Sequence, residues 1–93
     1  MIVSFADKET EKVWNNIFSK KLPTNIQAIA LRKLRLIEAA DSIDFLRVPP
    51  GNRLEALKGN RRGQHSIRIN QQWRICFRWV DGHVENVGIC DYH

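Results

Sequence analysis

The sequence contains no long apolar run, no internal repeat, no low-complexity tract and only two cysteines. Residues Met1 to Thr10 meet an acid at Asp7 and include neither the basic start and apolar centre of an export signal nor a membrane-spanning stretch. These absences lead to the expectation of a cytoplasmic protein without membrane contact. Cys76 and Cys90 lack CxxC spacing, and in a chain without an export signal they are expected to be reduced packing residues, not a disulfide or part of a zinc site. His65, His83 and His93 are scattered, and with two separated cysteines they give no recognisable metal-ligand spacing. Neither a metal nor another cofactor is expected.

Positive charge is what the chain has in excess, and it is unevenly placed. The 93 residues carry a net charge of +5, and 43% of them are hydrophobic against 27% charged, the balance of one soluble globular domain spanning 1–93. Residues 46–79 hold eight basic groups, among them Arg53, Lys58, Arg61, Arg62, Arg68, Arg74 and Arg78, against the single acid Glu55. Residues 1–45 are nearly balanced, and the last fourteen hold three acids. A basic stripe of this kind is the footprint of phosphate binding, and it is also the composition of a solvated surface that keeps a small protein in solution.

Periodicity divides the chain in two. Ile2, Val3 and Phe5 form a brief apolar run, expected as a short strand, after which Asp7 can cap a helix whose positive end suits Glu9 and Glu11. Val13, Trp14, Ile17 and Phe18 recur at helical spacing, and Pro23 stops continuation, so this helix is expected to end near residue 21. Thr24 and Gln27 have capping-box spacing. They open a second helix to about residue 40, with Ile26, Ile29, Ala30, Leu34, Ile37 and Ala40 as its apolar stripe. Beyond the turn at Pro49-Pro50-Gly51-Asn52 the pattern alternates, giving strands near 54–58, 64–70, 73–79 and 84–91. The expected class is α+β, with the N-terminal strand and both helices on one face of a mainly antiparallel sheet.

Trp73, Ile75, Phe77 and Trp79 share one side of their strand and are expected to form core, leaving Arg74, Cys76 and Arg78 on the other. A three-residue loop at Asn70-Gln71-Gln72 pairs Ile69 with Trp73 and Ile67 with Ile75, which sets Arg68 opposite Arg74. Two facing guanidinium groups repel unless an anion or carboxylate lies between them; Glu55 or Asp91 could also neutralise them in an ordinary salt-bridge network. For the last hairpin, a three-residue loop at 80–82 is expected to bring Ile75 to Val87 and Trp73 to Ile89. His65 shares the side of Ile67 and Ile69 and is expected to be packed, whereas His83 lies at a turn.

The runs PPGNRLEALKG (49–59), GQHSIRIN (63–70), QWRICF (72–77) and terminal Asp91-Tyr92-His93 together resemble HigB toxins of the RelE/ParE superfamily. The likeness covers nearly the whole chain. It implies a RelE-like fold, ribosome-dependent cleavage of mRNA in the decoding site, and neutralisation by a HigA-like antitoxin with a helix-turn-helix domain; the toxin alone is expected to be a monomer. Such cleavage, by attack of the RNA 2′-hydroxyl on its neighbouring phosphate, asks for a base, cationic donors for the pentacoordinate phosphate, and an acid for the 5′-oxygen. Arg74 is the first choice for the phosphate, on a scaffold held by other residues, with Lys58 and Arg68 in support. The resemblance also points to Asp91, Tyr92 and His93 as a catalytic tail. Some HigB toxins carry a histidine where this chain has Glu55, so Glu55, Asp91 and His93 all stand as candidates for the base. Arg53, Arg61, Arg62, Arg68 and Arg78 are expected to bind RNA. A basic RNA- or ribosome-binding module without catalysis, or a gyrase-directed toxin of the ParE branch, would use the same stripe. The titratable tail favours catalysis, since phosphate binding alone has no use for it.

Overall fold

The computed structural model describes residues 1–91. Helix α1 runs Lys8–Trp14, and the Asp7 carboxylate caps it by accepting from the Thr10 amide at 2.7 Å. The helix is about two turns shorter than its apolar spacing suggests. Asn15 and Asn16 end it: Asn16 takes the left-handed conformation (φ 60°), which asparagine tolerates better than most residues. Ile17 and Phe18 consequently leave the helical stripe and are 54% and 58% exposed.

Helix α2 spans Thr24–Ala39 and buries Ile26, Ala30, Leu34 and Ile37. Its expected capping box is absent. Pro23 occupies the cap position, and Gln27 instead accepts from the Ser19 amide and donates to the carbonyls of Ser19 and Leu22, which fastens the α1–α2 loop.

The sheet has four antiparallel strands in the order β1 (Glu55–Ala56), β2 (Gln64–Arg68), β3 (Trp73–Val80) and β4 (His83–Asp91). The β2–β3 register is the expected one, with Ile67 opposite Ile75 and Arg68 opposite Arg74. Its loop is organised by Asn70, whose side-chain oxygen accepts from the amides of Gln72 and Trp73, both at 2.8 Å. The β3–β4 hairpin departs from expectation. Its loop is the two residues Asp81 and Gly82, both at positive φ (48° and 82°), as a type I′ turn requires. The resulting parity conflict is resolved within β4. A bulge opposite Phe77, with Asn86 at φ 52°, inserts one residue, so Val84 and Val87 are both buried and Ile75 meets Ile89 instead of Val87.

The N-terminal segment contributes two isolated parallel bridges, Ile2 to Val84 and Phe5 to Val87, in place of a full strand. Farther along the same edge, Thr10 of α1 accepts from the Ile89 amide at 2.9 Å. The edge of β4 is therefore satisfied by the chain itself. Val13, Ile26, Ala30, Leu34 and Ile37 from the helices pack with Ile67, Ile75, Phe77, Val84 and Val87 into one core, while Trp73 and Trp79 are partly buried at its margin. Each fully buried side chain of this size contributes about 1.5–3 kcal/mol. Among the described residues, no helix is long and apolar enough to cross a membrane.

Candidate active site

Paired residues share a face of a sheet, so the register lists what the helices leave uncovered. One row holds Glu55, Ser66, Cys76 and Gly88; the next holds Arg68, Arg74 and Cys90; a third holds Gln64, Arg78 and Glu85. Arg74 stands at the centre and is only 7% exposed. Its Nε donates to Ser66 Oγ at 2.7 Å, and its Nη2 donates to the Arg53 carbonyl at 2.6 Å and to the Ser66 carbonyl at 3.2 Å. Arg68 turns away, its Nε donating to the Asn70 carbonyl at 3.0 Å. The facing arginines are thus separated by backbone and hydroxyl acceptors, a solution that strand periodicity does not reveal.

A buried clamp from the other side of the molecule sets the Arg53 carbonyl. Arg53 follows a turn at Pro50–Asn52 and is itself left-handed, at φ 46°. Asn52 is fully buried: its amide nitrogen donates to the carbonyls of Leu46 and Val48, and its oxygen accepts from Lys33 Nζ of α2. Burial, and secondarily Arg32, lowers the Lys33 pKa. Sequence reasoning missed this clamp, although the signal was there. Lys33 lies three residues after Ala30 and four before Ile37, on the apolar stripe of α2.

The other candidates are dispersed around this centre. Glu55 is exposed at the end of its row, and Lys58 is exposed just before the turn at Gly59–Arg61. Arg61 reaches back across the face, placing Nη1 3.6 Å from Cys90 Sγ. Arg62 is exposed, and the Arg78 guanidinium lies against Gly63, where a Cβ would come within 2.9 Å of Nη1. Asp91 pairs with Trp73, on the alternate rows, and its carboxylate accepts from Gln72 Nε2 at 3.1 Å. Tyr92 and His93 lie outside the described residues. His65 is packed as expected, stacked on Phe77 with ring centroids 6.4 Å apart; burial, then Arg47, lowers its pKa. His83 is exposed at the hairpin turn.

A cleft of about 440 Å³ opens on this face, lined by Asp7, Arg61, Cys76, Gly88, Cys90 and Asp91 among others. Sequence reasoning treated the two cysteines as packing alone, yet both line it. A second cleft, of about 430 Å³, lies between the α1–α2 loop and α2, where Arg32 and Arg35 border Ile17, Phe18 and Leu31. Its lining contains no side chain that exchanges a proton near neutrality.

This architecture is that of RelE-like toxins. A YoeB–YefM toxin–antitoxin heterotetramer from Staphylococcus aureus contains a chain that superposes with a TM-score of 0.63 at 22% identity, over 100% of this chain and 95% of that one. A second YoeB–YefM complex from the same organism gives 0.62 at 18% identity, over 100% and 98%. Residues 3–93 match the family described as the RelE-like toxin of type II toxin–antitoxin system HigB, and the chain belongs to that family. Toxin HigB-1 of Vibrio cholerae is 43% identical over 83 residues, 88% of this chain and 87% of that protein. Endoribonuclease HigB of Proteus vulgaris is 30% identical over the full length of both.

Proposed function

We propose that this chain is an endoribonuclease that cuts mRNA in the decoding site of the ribosome, by attack of a 2′-hydroxyl on its own adjacent phosphate. The observation that carries the proposal is Arg74, a guanidinium held in place by hydrogen bonds to Ser66 and to the Arg53 carbonyl at the floor of a basic sheet face. A charge fixed before substrate arrives, in poorly solvated surroundings, stabilises developing phosphate charge without reorganising. Lys58 and Arg61 add cations around that floor, and Arg53, Arg62, Arg68 and Arg78 extend them along the RNA.

Glu55 and Asp91 are the carboxylates nearest in sequence and register to this centre, and either can receive the 2′-hydroxyl proton. Histidine as a residue type exchanges protons near neutrality, so His93 is a candidate acid or base; tyrosine as a type is better suited to donate a proton or stack on a base, the role assigned to Tyr92. Written this way, the reaction draws on proton transfer and fixed charge. The name of the Proteus relative supports ribonuclease chemistry, and the Staphylococcus toxins, solved with YefM, support control by an antitoxin. For this chain that partner is a HigA-like helix-turn-helix protein, encountered in the cytoplasm. Purified protein incubated with mRNA, alone and with programmed ribosomes, tests the proposal: new 5′ ends appear only with ribosomes. Equal cutting of free RNA defeats the ribosome requirement, and no cutting in either reaction defeats the assignment.

A further inference from the structure

The two thiols of the open face form a unit that the reaction above does not use. Arg74 pairs with Cys90 and Cys76 with Gly88, so Cys76 and Cys90 are diagonal neighbours on adjacent strands, with Gly88 putting no side chain between them. The Cys90 thiol donates to the Gly88 carbonyl at 3.6 Å, on the side of Cys76. Cys76 is 2% exposed, Cys90 is half-buried, and both line the 440 Å³ cleft, which gives a small solute access from solvent. Arg61 brings its guanidinium to 3.6 Å from Cys90 Sγ from a turn 29 residues away. A thiol beside a cation, partly open to solvent and diagonal to a second thiol, has the surroundings of a reactive cysteine with a resolving partner.

We propose that Cys76 and Cys90 are a peroxide-reactive dithiol, in which Cys90 attacks a hydroperoxide and Cys76 closes the product into an intramolecular disulfide. The proposal stands apart from the ribonuclease reading, since it rests on the thiols and their surroundings alone. Cys90 is half-buried and stands beside Arg61, whereas Cys76 is buried. The roles are therefore unequal. The Cys90 thiolate attacks one peroxide oxygen, the O–O bond breaks, and hydroxide leaves, giving a sulfenic acid at Cys90. The Cys76 sulfur then attacks the Cys90 sulfur. The S–O bond breaks, and the departing hydroxyl takes the Cys76 proton as water. Two electrons pass from the sulfurs to peroxide, and the balance is one thiolate, one thiol and one hydrogen peroxide to one disulfide, one water and one hydroxide. Diagonal neighbours are spaced wider than direct pairs, so closing the bridge draws the end of β4 toward β3.

The test uses the reduced, folded chain treated with hydrogen peroxide and then denatured for thiol counting and peptide mapping. The expected result is loss of both thiols in the monomer, a Cys76–Cys90 cross-linked peptide, and full recovery with dithiothreitol. In C76S, dimedone tags Cys90 as a sulfenic acid, and R61Q slows oxidation several-fold. If C76S does not fold, competitive alkylation of the native wild-type chain reads the same order, with Cys90 labelled first. Retention of both thiols, cross-links only between chains, over-oxidation of Cys90 without a bridge, or faster labelling of Cys76 would each overturn the proposal.

Discussion

Replacing Arg74 with alanine removes, among the described residues, three hydrogen bonds at once, those to Ser66 Oγ, the Ser66 carbonyl and the Arg53 carbonyl. A hydrogen bond to a charged group is worth about 1.5–3 kcal/mol, and an abandoned buried acceptor costs about 1–3 kcal/mol. The three share one guanidinium and do not add. Relief of the desolvation of a buried charge offsets part of the loss, and water entering the vacated space satisfies some acceptors. The expected net cost is about 2–4 kcal/mol, which lowers Tm by roughly 10–25 °C in a domain of this size. The expectation from sequence, that the fold stands without Arg74, is accordingly revised: this side chain also organises its own surroundings. Activity must be compared at equal folded concentration, below the variant's melting range, with the folded fraction read from circular dichroism. There, Arg74→Ala should cut mRNA about 10²–10³-fold more slowly, the usual loss for one preorganised donor. A variant that melts within ~2 °C of wild type would refute the hydrogen-bonding account, and one that cuts at the wild-type rate would remove Arg74 from the reaction.

Four further outcomes follow from other parts of the molecule. Asn52→Ala strands Lys33 Nζ and frees the carbonyls of Leu46 and Val48, and should destabilise by about 2–4 kcal/mol in denaturant titration; a cost below ~0.5 kcal/mol would mean the clamp is slack. Burial of His65 lowers its pKa from 6.5, so the unfolded chain binds its proton more readily. The stability from a neutral His65 is complete above about 6.5 and is lost as pH falls from there toward the folded pKa; Tm should drop from pH 7.5 to 5.5 less in His65→Phe than in wild type, and equal drops would contradict this. Asn86→Gly should keep or raise Tm, whereas Asn86→Val at φ 52° should cost about 1–2 kcal/mol, and the reverse order would rule out the bulge. Deleting Tyr92 and His93 leaves β4 in place from His83 to Asp91, and cleavage should fall by far more than Tm; unchanged cleavage would return attention to Glu55 and Lys58.

Much of the sheet was legible because strand parity is a strict code. Once Asn70–Gln72 is read as the loop, Ile67 must meet Ile75 and Arg68 must meet Arg74. The second hairpin misled because a bulge changes parity inside a strand, and Asn86 carries no signal of it stronger than an asparagine in an apolar run. Helical spacing likewise overextended α1. Ile17 and Phe18 sit at helical intervals from Val13 and Trp14, but local asparagine turns outweighed that pattern. The basic residues of the open face followed from alternation, whereas what holds Arg74 did not. Its partners include two backbone carbonyls, one of them in a loop anchored by Lys33 and Asn52, and a one-dimensional pattern does not report where carbonyls point. The thiol pair was half legible: parity put Cys76 and Cys90 on the face of Arg74, but the expected three-residue loop set Cys90 opposite Gln72, whereas the two-residue loop and the bulge set it opposite Arg74 and diagonal to Cys76.

The central claim is that RNA cuts itself on this face through its own 2′-hydroxyl. Ribosomes programmed with an mRNA carrying a single 2′-deoxynucleotide at the mapped cleavage position, compared with the all-ribose message, test it most directly. The account predicts that the ribose message yields a 5′ fragment ending in a 2′,3′-cyclic phosphate or its opened monophosphate, and that the deoxy message stays whole at that position. Cutting of the deoxy message at the same position, or a 5′ fragment ending in a 3′-hydroxyl, would contradict it.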